Sequence, residues 1–417
     1  MNKPQLLLPA GNMDAFKTAL LYGADAVYAG LPSMNLRSRE NFPIEDLQEC
    51  IKKSHSLGKK TYLALNLFSR NKDIAKLDAA ISTIKFLNPD GLIISDPGIF
   101  AKIKKEIPDL PLNVSTQANV CSWLTVDFWQ KQGAALCVLG REVSFKEAVE
   151  IREKCPDTKL EIFVHGAMCI SYSGRCLLSA FMASRSANAG LCAHSCRWKY
   201  KSKLVLEEEM RPNEFLELYE DEQGSYILNS KDLCLMPKLN QILCAGFDSL
   251  KIEGRNKSEY YIAQTARAYR KAIDDYFENP KDWKADIYMQ ELLTLQNRGY
   301  TTAFFDGVPD GSDQNFNDTA SISDWQSAGI VKGYKDCLLE IEVKNKIQKG
   351  QEIELLSPYQ FEPFKIVIDK MIDGKNNKEI DLMSAGKTGQ TIKIPIKDAK
   401  LFPKYTVARK RCPSLQD

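Results

Sequence analysis

Over the first 310 or so residues, short apolar runs alternate with longer stretches whose apolar positions recur every three or four residues. The short runs predict eight strands: Gln5–Pro9, Ala26–Gly30, Lys60–Leu67, Gly91–Ser95, Leu112–Thr116, Ala135–Gly140, Lys159–Val164 and Phe247–Glu253. The periodic stretches predict helices at Met13–Tyr22, Ile44–Leu57, Ile74–Leu87, Pro97–Ile107, Cys121–Gln132, Ser144–Lys154, Leu235–Ala245 and Lys257–Glu278. Asn12, Ser115 and Ser144 stand where N-caps belong, and Pro237 lies in a first turn. Gly23 and Gly133 follow helices as stop signals. Eight βα units in sequence point to an α/β fold of the TIM-like (β/α)8 barrel type, with a doubly wound sheet as the alternative, because pattern alone does not show closure.

The rhythm breaks twice. Between Val164 and Phe247 lies an insertion, about residues 165–246, that carries a cysteine cluster and the charged segment Lys201–Glu222. After residue 310 a Gly-, Asp-, Asn- and Ser-rich stretch reads as a linker over 311–325. Beyond it, short strands are expected at Gly329–Tyr334, Leu338–Val343, Glu352–Leu356, Phe364–Asp369, Thr391–Ile396 and Tyr405–Arg409. With turns such as Asp373-Gly374 they suggest a small antiparallel β-barrel over 326–417.

Composition narrows the class. Of the 417 residues 44% are apolar and 26% charged, which excludes a disordered or fibrous chain. No apolar run approaches the ~18 residues of a membrane helix, and the start lacks the apolar core of a signal peptide, so a soluble, cytoplasmic protein without membrane partners is expected. The net charge is +2, too small for the whole chain to bind nucleic acid by charge alone. The balance is uneven, however. From Gln326 onward there are 17 Lys and Arg against 12 Asp and Glu, a surplus of +5; the rest, 39 against 42, stands at −3. The C-terminal unit is therefore the candidate for phosphate contact and RNA binding.

Only three histidines occur, His55, His165 and His194, and neither HExxH nor GxSxG is present, which argues against the common hydrolase types. Twelve cysteines occur, and Cys169, Cys176, Cys192 and Cys196 fall within 28 residues in the pattern C-x6-C-x15-C-x3-C. An even spread would place about 0.8 there. Converging thiolates repel one another unless a metal or cluster binds them. The spacing lacks the C-x2-C knuckles of structural zinc, and the long loops suit a [4Fe–4S] cluster better. Four unrelated buried cysteines remain the alternative, and Cys234 in NSKDLC is a fifth candidate. Tyr172 and Arg175 precede the second cysteine, and Arg197, Trp198 and Lys199 follow the last. Such cation–aromatic runs stack on unpaired bases and contact phosphate, or else form an amphipathic surface strand.

Chemistry in a (β/α)8 barrel sits at the C-terminal strand ends. There the sequence places Asn12, Asn35, Arg37, Arg39, Asn66, Ser115, Gln117, Asn119, His165, Lys251, Glu253 and Arg255. Cations and amides at one mouth suit a small anionic ligand such as a dicarboxylate, for which Asn12, Arg37, Asn66, Gln117, Lys251 and Arg255, with Tyr172 and Arg175, are the candidate ligands. Glu253 and His165 are the candidate catalytic groups, Glu253 as an arginine partner or a base. A set of internal ion pairs closing the barrel top is the other reading.

The segments LLLPAGN, GADAVYAG, HGAMCISYSGRCLLSAFM, GLCAHSCRWKY, NSKDLC and SLKIEGR, with VKNKIQKGQEIELLSP near the end, resemble the collagenase-like peptidase family of unassigned catalytic type. Within that family the chain looks most like the branch that contributes to 5-hydroxyuridine formation at the wobble position of tRNA. The resemblance implies a [4Fe–4S] cluster held by Cys169, Cys176, Cys192 and Cys196, with Cys234 as alternate. It also implies tRNA as partner and prephenate, a dicarboxylate, as ligand or co-substrate. The oxygen source and the electron donor stay open. Three functions compete: an iron–sulfur tRNA uridine 5-hydroxylase, a peptidase as the family name asserts, and a zinc-stapled binding protein without catalysis.

Overall fold

The structure is a computed structural model that describes residues 2–32, 34, 42–168, 171, 176, 178–183, 192–193, 195–197, 206–207, 215–216, 220–221, 224–225, 230–307, 313, 323–386, 389–397 and 399–412. Seven parallel strands, β1 (Gln5–Pro9), β2 (Ala26–Gly30), β3 (Lys60–Leu65), β4 (Gly91–Ile94), β5 (Leu112–Val114), β6 (Leu136–Val138) and β7 (Leu160–Ala167), follow one another around a barrel. A short strand β8 (Asp232–Cys234) runs antiparallel along the end of β7. Strand β9 (Ser249–Ile252) then closes the ring. Ser249 pairs with Gln5 of β1 on one side and with Glu161 of β7 on the other. Closure makes this the TIM-like barrel rather than the open sheet.

Local chemistry explains most of the elements. Asn12 accepts from the Ala15 amide and starts the helix Met13–Leu21. Ser144 and Glu147 form a reciprocal capping box at the helix Phe145–Lys154. Gly23 and Gly133 adopt φ of 101° and 84° after their helices, the left-handed region where glycine is favoured. Two expectations shift. Ser115 caps a 3-10 turn, Thr116–Ala118, while Ser122 starts the helix Trp123–Lys131. The expected helix Ile74–Leu87 is two pieces, Asn71–Ile74 and Leu77–Leu87. The helix Asp286–Leu293, packed on the long helix Glu259–Glu278, was not anticipated.

The barrel interior is apolar on one side, where Leu7, Ala26, Tyr28, Tyr62, Ala64 and Ile93 cluster. The C-terminal unit is a seven-stranded antiparallel sheet in the order Phe364–Val367, Glu352–Leu356, Val407–Arg411, Trp325–Lys335, Leu338–Val343, Thr391–Pro395, Ile372–Asp373. Its outer strands do not pair with each other among the described residues, so it is a half-barrel rather than a closed one.

A polar seam joins the two units. The Tyr22 hydroxyl donates to the Leu356 carbonyl and accepts from the Val407 amide at 2.9 Å. Arg409 reaches Glu354 at 2.7 Å and, across the seam, Glu291 at 3.1 Å. Burial would raise the Glu291 carboxyl, but Arg409 and Arg267 outweigh it and hold it below the usual carboxylate range. Arg409 is buried in the seam and Lys410 is buried against the Lys346 carbonyl of its own unit, so part of the C-terminal surplus of positive charge is not on the surface.

Candidate active site at the barrel mouth

Strands β7 and β9 carry charge into the barrel. Alternation along β7 turns Glu161 and Phe163 inward, opposite Ser249 and Lys251 of β9. Lys251 Nζ lies 2.8 Å from Glu161 Oε1, with the two side chains 5% and 2% exposed. The Ser249 hydroxyl donates to the other carboxylate oxygen at 2.7 Å. A buried charge of this kind persists only when paired and hydrogen-bonded. The Lys251 ammonium also sits 4.5 Å over the Tyr28 ring. Lys251, expected as a ligand contact, is thus already answered by Glu161.

Glu253 lies one residue beyond β9 at the mouth. Its Oε2 accepts from the Tyr28 hydroxyl at 3.2 Å and stands 3.7 Å from the Arg141 guanidinium. The Tyr261 hydroxyl donates to the Glu253 carbonyl at 2.8 Å, which fixes the backbone there. Arg255 is buried with its guanidinium 5.9 Å from the Tyr28 ring. Tyr28, Arg141, Glu253 and Arg255 therefore share one rim, and an anion or a polar base edge entering there meets both charge signs.

His165 does not join them. The register between β7 and β9 slips between Lys251 and Ile252, so that Ile252 pairs with His165 and Val164 is the extra residue. The bulge reverses the inward alternation that would have carried His165 into the barrel. Its ring packs instead against Tyr261, Tyr269 and Tyr300, with centroids 5.8, 5.7 and 5.3 Å away. Burial lowers its pKa to about 3, with Asp232 opposing the shift and Lys257 adding to it. Gly166, at φ +124°, permits the turn: a Cβ there would meet the Glu253 carbonyl oxygen at 2.5 Å. The expectation that His165 and Glu253 face one site is corrected by this bulge.

The remaining candidates separate. Asn12 uses its carbonyl oxygen on the helix cap. Asn66 is half-buried just past β3. Gln117, also half-buried, has a buried Oε1 that finds no hydrogen-bond partner among the described residues. Arg37, Tyr172, Arg175, Trp198, Lys199 and Cys169 lie outside the described residues, as does the Arg197 side chain; the Arg197 backbone is in a 3-10 turn, Ser195–Arg197. Cys176, Cys192 and Cys196 are half-buried. The Ala193 amide donates to the Ser179 hydroxyl at 2.8 Å, tying the second stretch of the cysteine loop to the short helix Leu178–Ala183 next to Cys176. Thiol donors suit an iron–sulfur cluster chemically. Among the described residues, no three His, Cys, Asp or Glu side chains are arranged to hold a metal ion. Cys234 sits apart, its Sγ 3.9 Å from the Tyr269 hydroxyl and 3.6 Å from Met289 Sδ, and burial pushes its thiol up to about 11.

Sequence reasoning passed over Glu161, Arg141 and Tyr28. Glu161 had a signal, a lone carboxylate inside an apolar strand facing another strand's lysine. Arg141 had one too, a cation three residues past the end of β6.

With this geometry in hand, the likenesses to known proteins can be placed. Residues 11–315 match the model of Peptidase family U32, and residues 323–409 match the Peptidase family U32 C-terminal domain. The chain belongs to peptidase family U32. It is 39% identical over 396 residues to tRNA hydroxylation protein P of Escherichia coli, covering 86% of this chain and 87% of that protein. It is 38% identical over 417 residues to tRNA hydroxylation protein P of Haemophilus influenzae, covering 90% of each. A U32 relative with a different name, the collagenase of Porphyromonas gingivalis, is 28% identical over 95% of this chain and 96% of that one. No described helix of this U32 chain is long and apolar enough to cross a membrane.

Proposed function

We propose that this U32 protein takes part in tRNA hydroxylation and that its reaction is 5-hydroxylation of the wobble uridine, carried out at the barrel mouth around Glu253. The observation that carries the reading is the likeness to the proteins named for tRNA hydroxylation, which extends over nearly nine-tenths of both chains. The mouth geometry supports it. An anticodon-loop base is already unpaired and needs little energy to enter a pocket. Glu253 is poised to accept a proton from the base or hold its polar edge, with Tyr28 orienting the carboxylate. Arg255 and Arg141 supply positive charge for a dicarboxylate such as prephenate. Lys365 and Lys370 of the C-terminal half-barrel are exposed and held, among the described residues, only by long ion pairs, 4.0 Å to Glu354 and 3.8 Å to Glu379, which leaves them suited to tRNA phosphates. Cys169, Cys176, Cys192 and Cys196 are the residues that would hold a [4Fe–4S] cluster, with Cys234, buried beside Tyr269 and Met289, as the alternate. Such a cluster supplies one-electron chemistry when bound.

The peptidase alternative finds less support. A cysteine nucleophile needs a thiolate and an imidazole beside it. Burial pushes Cys50 and Cys137 up to about 12, His165 faces away from the mouth, and His55 pairs with Asp90 at the surface.

The test has two arms. Nucleoside mass spectrometry of tRNA from a deletion strain, with no redundant pathway present, is expected to lack wobble 5-hydroxyuridine; unchanged levels remove the assignment. Anaerobically isolated protein is expected to contain iron and sulfide and to absorb broadly near ~400 nm. Wild-type protein without iron, sulfide and that absorbance contradicts the cluster, and a Cys176→Ala variant that keeps all three contradicts Cys176 as a ligand.

A further inference from the structure

Arg141 is a cation at the mouth with a buried donor that is not used. It follows β6 in a turn fixed from both sides. The Gly140 amide donates to the Val120 carbonyl at 2.9 Å, and the Val143 amide donates to the Gly140 carbonyl at 3.3 Å. Ser144 then caps the next helix. The turn is tightly filled, since a Cβ on Gly140 would meet Cys121 Sγ at 2.8 Å. The guanidinium lies flat enough over the Phe163 ring to place its carbon 4.3 Å from the centroid. One terminal nitrogen donates to the Ala167 carbonyl at 3.3 Å. The other stands 3.7 Å from Glu253, an ion-pair distance beyond hydrogen-bond length. Nε is buried and has no hydrogen-bond partner among the described residues.

A guanidinium carries five N–H donors in a rigid fork. Here the ring below, the carbonyl to one side and the turn behind hold the fork in place, while Nε has no hydrogen-bond partner among the described residues and the second terminal nitrogen makes only the longer ion pair with Glu253. A buried donor left unmet is unfavourable, so the arrangement is more stable with an acceptor present. Arg255 adds a second cation at the same rim, whereas Lys251 is neutralised by Glu161.

We propose that Arg141 is the specificity-determining residue of the mouth and that it takes the oxyanion of a small ligand, a carboxylate or a nucleotide phosphate, in a two-pronged hydrogen bond beside Glu253. This rests on the reading that the mouth is the reaction site. Arg141 is a binding residue here and carries no proton in the reaction.

The experiment is a calorimetric titration of the anaerobically isolated full chain with prephenate and, separately, with uridine 5′-monophosphate. Wild type, Arg141→Lys and Arg141→Met are compared. The loss of a charge-assisted fork is expected to weaken binding of one of the two probes about tenfold or more in Arg141→Met. Arg141→Lys, which keeps the charge but not the fork, is expected to fall between. The probe that loses affinity names the source of the oxyanion. Melting temperatures are expected to stay within about 2 °C of wild type. Equal affinities in wild type and Arg141→Met overturn the inference, as does failure of both probes to bind wild type. It is also overturned if Lys and Met weaken binding equally while both lower the melting temperature, since that describes packing on Phe163 alone. The same variants in the complemented deletion strain separate this inference from the function. Restored tRNA hydroxylation with Arg141-independent binding sinks the inference and leaves the function standing. Arg141-dependent binding without hydroxylation by wild type does the reverse.

Discussion

The wall formed by β7 and β9 has two faces that differ in almost every property. Toward the barrel axis it presents Phe163 and a polar set, Glu161, Ser249, Lys251 and, at the rim, Glu253, held by one another or by Tyr28. Toward the long helix Glu259–Glu278 it presents His165, which is packed among tyrosines and near-neutral in character. The two sets are neighbours along the same strands. One extra residue in β7 sorts them. The comparison teaches that a residue's position at a strand end does not by itself place it in the site; the local register decides which face it serves.

The comparison can be broken at several points. The largest effect is expected from Glu161→Leu, which leaves the Lys251 ammonium buried without its partner. Denaturant unfolding should show a loss of about 3–5 kcal/mol, and adding Lys251→Met should recover most of it. Recovery by the double variant would identify the pair as a buried charge problem; no recovery would mean that the shape of Glu161 matters more than its charge.

Gly166→Ala attacks the sorting device itself. Its φ of +124° and the 2.5 Å approach to the Glu253 carbonyl leave no room for a Cβ. A loss of about 1–3 kcal/mol is expected, together with impaired hydroxylation because the Glu253 backbone must shift. A variant as stable and as active as wild type would mean that the bulge is not rigidly required.

His165 sharpens the outer face. Its folded pKa, about 3, lies below its ordinary value of 6.5. Protons therefore bind the unfolded chain first. The stability this residue contributes is fully present above pH 6.5 and is lost progressively as pH falls toward 3. Between pH 7.5 and 5.5 wild type should lose about 1.4 kcal/mol from this group alone, and His165→Phe should flatten that portion of the curve. An unchanged slope in the variant would place the titrating group elsewhere.

Much of this architecture was legible beforehand. All eight barrel strands were anticipated within a few residues of their ends, because parallel strands buried on both faces read as short apolar runs between helical periods. The caps at Asn12 and Ser144 were legible because N-cap chemistry is local. The short strand Asp232–Cys234 was not, since three residues paired at the end of β7 carry no period. Glu253 and Arg255 were legible as rim residues from their position after the last strand. Arg141 was missed because its neighbours in sequence say nothing of Phe163, which it covers from the turn after β6. His165 was misplaced because a bulge leaves no mark in a single sequence.

The most direct test of the account compares the two faces by function. Deletion cells are complemented with Glu253→Gln or with His165→Gln, and wobble 5-hydroxyuridine is measured in their tRNA. The account predicts that Glu253→Gln brings the modified nucleoside down to the level of the deletion, while His165→Gln, at equal protein abundance, retains most of it. Full modification with Glu253→Gln and loss with His165→Gln would contradict it.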